Sequence, residues 1–159
     1  MARRSSEVAG LARTDARELL AWLREQRTAM TALLSELARA ESPSTDGRSQ
    51  ERVRALLAAE LIELGHSVRE PAAPGGGRHL VTRPADRRRT GPYQLLIGHL
   101  DTVWPLGTLD EMPVRTDGGR LFGPGVFDMK GGLVQAVFAL RALRAAGARP
   151  EVAPVLVIA

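Results

Sequence analysis

The stretch that decides the fold is residues 95–103, which read LLIGHLDTV. Its three leading apolar residues lack the alternation of a half-exposed strand, so they predict a buried central strand. A glycine ends the apolar run, and His99 and Asp101 come directly after it. Because ligands of open α/β sheets bind at the carboxyl ends of strands, this position favours a functional site at His99.

Apolar spacing outside this stretch predicts alternating helices and strands. Three helices are expected over residues 15–40, 49–64 and 130–146, with Ser49 as the cap of the second. Short strands are expected at His66–Glu70, His79–Arg83, Tyr93–Gly98 and Pro154–Ala159, and a long loop over residues 99–120. Helices that alternate with apolar strands indicate an α/β layered fold.

Composition excludes several classes of function. The 159 residues include no cysteine, so a metal would need imidazole and carboxylate ligands. The net charge is +4, but Lys130 is the only lysine and aromatic residues make up 4%, so no base-stacking platform is visible. We therefore expect no nucleic-acid partner. The polar residues after Arg3-Arg4 rule out a signal peptide, and no run reaches the length of a membrane span, so a cytoplasmic protein without membrane contact is expected.

The pair His99 and Asp101 is the first candidate for chemistry. A neutral imidazole is a good ligand for zinc or cobalt, and a carboxylate two residues away can orient it. Taken alone, a His-x-Asp at a strand end is more often a turn or a core histidine with its hydrogen bonds satisfied. This pair alone therefore leaves both interpretations open.

The second candidate is Asp128, within residues 123–132, GPGVFDMKGG. The glycines let the backbone approach a bound group closely, and the following helix begins with a positive dipole end. Each carboxylate has two oxygens, so Asp128 could bridge two cations about 3.5–4 Å apart. The common alternative is that Asp128 caps the helix.

Together, these stretches resemble the metal-dependent exopeptidases and deacylases, including glutamate carboxypeptidase, acetylornithine deacetylase, succinyl-diaminopimelate desuccinylase and aminoacylase. The resemblance runs from about Glu41 onward and includes residues 41–44, ESPS, as well as both candidate stretches. It implies a three-layer α/β domain with a mostly parallel mixed sheet. Residues 1–40 would then form an N-terminal helix, and residues 41–159 the N-terminal part of a catalytic domain that is truncated here.

The same resemblance implies a role for each candidate residue. His99 would be a terminal ligand of one metal, Asp128 the ligand that bridges both, and Asp101 the catalytic aspartate that orients the histidine. The metals would be two zinc ions, with cobalt as a substitute. The expected reaction is hydrolysis of an amide bond next to a free carboxylate, in a small peptide or an N-acyl amino acid.

The resemblance also shows what the sequence lacks. In relatives, the strand corresponding to Pro154–Ala159 leads into a glutamate pair that supplies the general base and a ligand, and an inserted lid domain often dimerises. We therefore expect the 159-residue chain to be inactive, although its parent would be a hydrolase. The alternatives are an N-acyl amino acid deacylase and a non-catalytic remnant. His66, His79, Asp110, Glu111 and Asp117 are interpreted as structural or surface residues.

Overall fold

A computed structural model describes residues 16–73, 76–87 and 90–159. The helices are α1 (residues 16–25), α2 (Arg27–Arg39), α3 (Glu51–Glu63), α4 (Thr108–Glu111) and α5 (Gly131–Ala145). The strands are β1 (His66–Arg69), β2 (Leu80–Pro84), β3 (Tyr93–Gly98), β4 (Arg115–Asp117), β5 (Arg120–Phe122) and β6 (Ala153–Ile158). The predicted helix start at Asp15 and the pair Arg3-Arg4 lie outside the described residues.

Four of the strands form one mixed sheet in the order β1-β2-β6-β3. The pair β3–β6 is parallel, whereas β1–β2 and β2–β6 are antiparallel. The α/β class and the mixed sheet are confirmed, but the expected majority of parallel pairs is wrong for the strands described. A parallel pair needs a crossover connection, and in the described chain α5 provides that connection only between β3 and β6. Strands β4 and β5 form a separate antiparallel hairpin.

Helices α2, α3 and α5 pack against one face of the sheet, which we call the covered face. A single hydrophobic cluster joins leucines of α2 and α3, such as Leu37 and Leu57, to Val137 of α5. The sheet contributes Leu80 and Ile158 to this cluster, and both are at most 2% exposed. The core therefore lies between the helices and the covered face.

The opposite face of the sheet, the open face, carries no helix from the described residues. Its apolar side chains include Leu95 and Ile97 of β3, which are 47% and 72% exposed. The expectation that β3 is a buried central strand is therefore wrong for this part of the chain, where β3 lies at the sheet edge and is covered on one face only. The third layer of the expected three-layer fold is likewise absent from residues 16–73, 76–87 and 90–159.

Most predicted elements are found with small shifts at their ends. The first predicted helix is nearly continuous, because the Gln26 amide bonds the Trp22 carbonyl and the Gln26 carbonyl accepts from Met30 across the junction of α1 and α2. Ser49 does not cap α3: its hydroxyl donates to Asp46, and Gln50 occupies the cap position. The predicted loop 99–120 contains α4 and β4. No helix in the described part of the chain is long and apolar enough to cross a membrane.

Candidate metal centre

His99 lies where the two parallel strands of the sheet end side by side. The backbone continues the pairing past β3, with the Leu100 amide donating to the Ala159 carbonyl and the Ala159 amide to the Gly98 carbonyl, both at 2.9 Å. The His99 amide donates to the sulfur of Met129 at 3.2 Å. These contacts fix the backbone of His99 at the carboxyl ends of β3 and β6, as the sequence predicts.

Asp128 reaches the imidazole of His99 from a separate segment. It lies in a kinked turn, Val126–Lys130, immediately before α5, where its own backbone is not helical (φ −122°, ψ 105°) and its peptide bond to Met129 is cis. Its Oδ1 is 3.0 Å from His99 Nε2. Neither the turn nor α5 has a side-chain cap hydrogen bond. The carboxylate is therefore turned toward His99 instead of capping the helix, and its side chain is 80% exposed.

Two glycines allow these segments to approach each other. A Cβ on Gly98 would lie 2.9 Å from Leu133 and 3.1 Å from the Met129 methyl. Gly125 has a φ of 71°, which favours glycine, and a Cβ there would lie 2.5 Å from the Thr102 methyl. Side chains at these two positions would push the turn that carries Asp128 away from the loop that carries His99.

Asp101 faces the other nitrogen of the imidazole. His99 Nδ1 is 3.1 Å from the Asp101 carbonyl oxygen and 3.3 Å from its Oδ1. Both atoms are acceptors, and Asp128 Oδ1 is a third acceptor at Nε2, so oxygen atoms face both nitrogens of the ring. The shorter contact, to the backbone carbonyl, is the better hydrogen bond, and the carboxylate adds a second acceptor.

Residues 41–44, the ESPS segment, run along the loop that carries Asp101. The Ser44 amide donates to the Thr102 carbonyl at 2.9 Å, and the Thr102 amide to the Ser42 carbonyl at 2.7 Å. The Ser42 hydroxyl donates to the Leu100 carbonyl at 2.9 Å, and the Ser44 hydroxyl donates to Asp101 Oδ2. This segment is part of the family resemblance, which implies no role for it.

Two charged residues connect the ESPS segment to its surroundings. Glu41 accepts hydrogen bonds from the Gly107 and Leu109 amides, each at 3.0 Å, and so holds the start of α4. Lys130 is fully buried, and its Nζ donates at 2.9 Å to the Leu37 and Ala40 carbonyls at the end of α2. Burial lowers the pKa of Lys130 to about 8, while the negative charge of Glu41 opposes that shift.

The remaining histidines and loop carboxylates are not brought to this site by any contact that the structure shows. His66 lies at the opposite end of the sheet, where its Nδ1 is 3.2 Å from the Thr82 hydroxyl and a cavity of about 520 Å³ opens beside it. Asp117 pairs with Arg115 in the hairpin. Among the described residues, no cluster of three or more His, Cys, Asp or Glu side chains could hold a metal. This part of the chain therefore offers two candidate ligands, His99 and Asp128.

Sequence comparison connects this geometry to known enzymes. Residues 95–159 match the profile of peptidase family M20/M25/M40. Carboxypeptidase G2 of Pseudomonas sp. (strain RS-16) is 31% identical over 127 residues, which is 79% of this chain and 30% of that protein. The chain thus spans about a third of the length of this relative.

Solved structures share the fold. Human carnosine dipeptidase 1 aligns with a TM-score of 0.76 and 20% identity, over 89% of this chain and 34% of its own. The dipeptidase Dug1p of Saccharomyces cerevisiae gives a TM-score of 0.72 at 16% identity, over 89% and 34%. The M20 family metallo-carboxypeptidase Sso-CP2 of Sulfolobus solfataricus gives 0.62 at 19% identity, over 84% and 30%.

The mixed α/β fold is shared with these solved structures, and in this chain His99 and Asp128 converge at the ends of its two parallel strands. Residues 95–159 carry the match to peptidase family M20/M25/M40, and the similarity to Carboxypeptidase G2 extends over 127 residues. The resemblance seen in the sequence is confirmed at this level.

Proposed function

We propose that this chain belongs to a metal-dependent amide hydrolase of the glutamate carboxypeptidase type, in which His99 and Asp128 bind metal and Asp101 orients the histidine. The observation that carries the proposal is the 3.0 Å approach of Asp128 Oδ1 to His99 Nε2, with Nδ1 facing two acceptor oxygens. The substrate would be a small peptide or N-acyl amino acid cleaved next to a free carboxylate. Residues 41–159 would form the first part of its catalytic domain.

The spacing of the two side chains fits one zinc ion. Two ligands at about 2.0–2.1 Å from a tetrahedral zinc lie about 3.3 Å apart. The 3.0 Å between the nitrogen and the oxygen is close to that value. Because the exposed Asp128 carboxylate keeps its second oxygen available, the same residue could also contact a second ion. Imidazole and carboxylate are ligands that zinc and cobalt both accept.

Bound zinc would supply Lewis-acid polarisation of the amide carbonyl and a water of lowered pKa. The residues of this chain position the two ligands. The strand ends fix the His99 backbone, Asp101 holds the His99 ring, and the turn before α5 presents Asp128. Two protein ligands hold a metal more weakly than the three or four of complete zinc sites. No general base has been found among the described residues near His99, so we expect the 159-residue chain itself to show no turnover.

The carboxypeptidase assignment is supported by the similarity to Carboxypeptidase G2 over 127 residues. An N-acyl amino acid deacylase would use the same two ligands and differ in the parts of the enzyme that recognise substrate. Two further features stay predictions: a homodimer formed through a lid domain, and a cytoplasmic location.

Zinc titration of the chain by calorimetry tests the metal site. We expect micromolar or weaker binding that falls at least tenfold in His99→Ala and in Asp128→Asn, because each removes one of two ligands. His79→Ala is the matched control and should bind like the wild type. Equal zinc affinity in all four proteins would refute the site. Turnover of an acyl-glutamate by the chain alone would refute the expectation that it is inactive.

A further inference from the structure

We propose that Ser44 is a positioning residue for the metal centre: its hydroxyl fixes the Asp101 carboxylate, which in turn holds the His99 ring with Nε2 toward Asp128. This inference rests on the proposed function, because the ring orientation matters only if His99 is a ligand. Ser44 lies 57 positions before Asp101 in the chain, so the contact is a product of the fold.

The two oxygens of the Asp101 carboxylate have different neighbours. Oδ2 accepts the hydrogen bond from the Ser44 hydroxyl, while Oδ1 lies 3.3 Å from His99 Nδ1. The terminal torsion of an aspartate is broad and roughly two-fold, so a carboxylate without a second partner can rotate. A donor on Oδ2 restricts that rotation and keeps Oδ1 toward the imidazole.

The Ser44 hydroxyl has two acceptors within reach and one proton to give. Its Oγ is also 3.1 Å from the Thr102 carbonyl oxygen. A hydrogen bond to a charged carboxylate is stronger than one to a neutral carbonyl. The proton therefore goes to Asp101, and the carbonyl of Thr102 keeps its hydrogen bond from the Ser44 amide.

The position of Ser44 does not depend on its hydroxyl. The backbone of the ESPS segment pairs with Thr102 through two hydrogen bonds, and the Gln50 side chain holds the Pro43 carbonyl at 3.0 Å. Removing the hydroxyl should thus free the carboxylate without moving the segment. Ser42 offers a contrast, since its buried hydroxyl bonds the Leu100 carbonyl and touches no site carboxylate.

The test compares Ser44→Ala and Ser44→Thr with Ser42→Ala as control. Imidazole ¹⁵N relaxation of the metal-free chain reports the mobility of the His99 ring, and calorimetry reports zinc affinity. In Ser44→Ala we expect a more mobile His99 ring and about tenfold weaker zinc binding, at the low end of effects for residues that support a ligand. Ser44→Thr keeps the hydroxyl and should restore both values to within about twofold. Ser42→Ala should lower the unfolding midpoint but change neither readout.

A double variant separates this role from a structural one. In an Asp101→Asn background, Ser44→Ala should weaken zinc binding no further, because the carboxylate that Ser44 positions is gone. Additive losses, or a Ser44→Ala chain with wild-type ring mobility and zinc affinity, overturn the proposal while the metal site stands. If the wild-type chain binds no zinc, the proposed function fails and this inference fails with it. Should Ser44→Ala not fold, Ser44→Cys preserves the size with a weak donor and is expected to show the same losses.

Discussion

The covered and open faces of the sheet are built from alternate residues of the same strands, yet they differ sharply in burial. Leu80 on the covered face is fully buried, whereas Leu95 on the open face is 47% exposed. Helices α2, α3 and α5 account for the difference, because all three lie on one side. Apolar content alone therefore does not show which face is packed, and the position of the helices decides it.

The largest expected effect comes from shortening one leucine on each face. Leu80→Ala should lower the free energy of unfolding by about 2–5 kcal/mol, because it opens a cavity in the core. Leu95→Ala should cost only about 0.5–1 kcal/mol, since much of that side chain already meets water. Urea denaturation followed by circular dichroism measures both.

The leucine pair also tests whether the open face is free in solution. Losses of equal size would mean that something covers Leu95, such as a second copy of the chain. Sedimentation of the wild type at the concentration of the denaturation experiment identifies that case. A monomer with equal losses would contradict the difference between the faces.

A smaller effect on the free energy of unfolding is expected when one buried and one exposed cationic side chain are each replaced by methionine. Lys130 is buried and bonds two carbonyls at the end of α2, whereas Arg69 is exposed on the open face. Lys130→Met leaves both carbonyls without their donor and should cost about 1–3 kcal/mol. Arg69→Met should stay within about 0.5 kcal/mol of the wild type. Thermal unfolding at pH 7 compares the two, and equal shifts in melting temperature would show that the Lys130 hydrogen bonds contribute nothing net.

The sequence predicted the elements better than it predicted their surroundings. Apolar runs and turn residues located the four strands of the main sheet to within a residue or two, because those signals are local. The prediction that Ile97 is buried was wrong, because burial depends on which face of the sheet the helices cover. Among the described strands, the expected majority of parallel pairs is not found for a related reason: strand direction depends on connections that a short run of sequence does not encode.

The site shows the same limit. His99, Asp101 and Asp128 could be named as candidates because a strand end and a glycine-rich turn are recognisable in the sequence, and the family resemblance linked them. Ser44 and Glu41 were part of that resemblance, but their contacts join segments 57 and 66 positions apart. The spacing of apolar residues along the chain does not indicate contacts between segments so far apart. In the sequence, the sign of these contacts is the cluster of hydroxyls and a carboxylate around Pro43, directly after the end of a helix.

The smallest expected effect is the dependence of stability on pH at His66, a polar residue buried on the covered face. Burial lowers the pKa of His66 below its usual 6.5, and the charge of Asp86 opposes that shift. Between the folded pKa and 6.5 the unfolded chain binds the proton and the folded chain does not, so folding becomes less favourable as the pH falls below 6.5.

His66→Gln removes this proton and should flatten the curve of unfolding free energy against pH from about 7.5 to 5, relative to the wild type. His79→Gln is the control, because the His79 side chain makes no hydrogen bond or ion pair with the described residues. Parallel curves for wild type and His66→Gln would mean that the buried histidine is protonated as readily as in the unfolded chain.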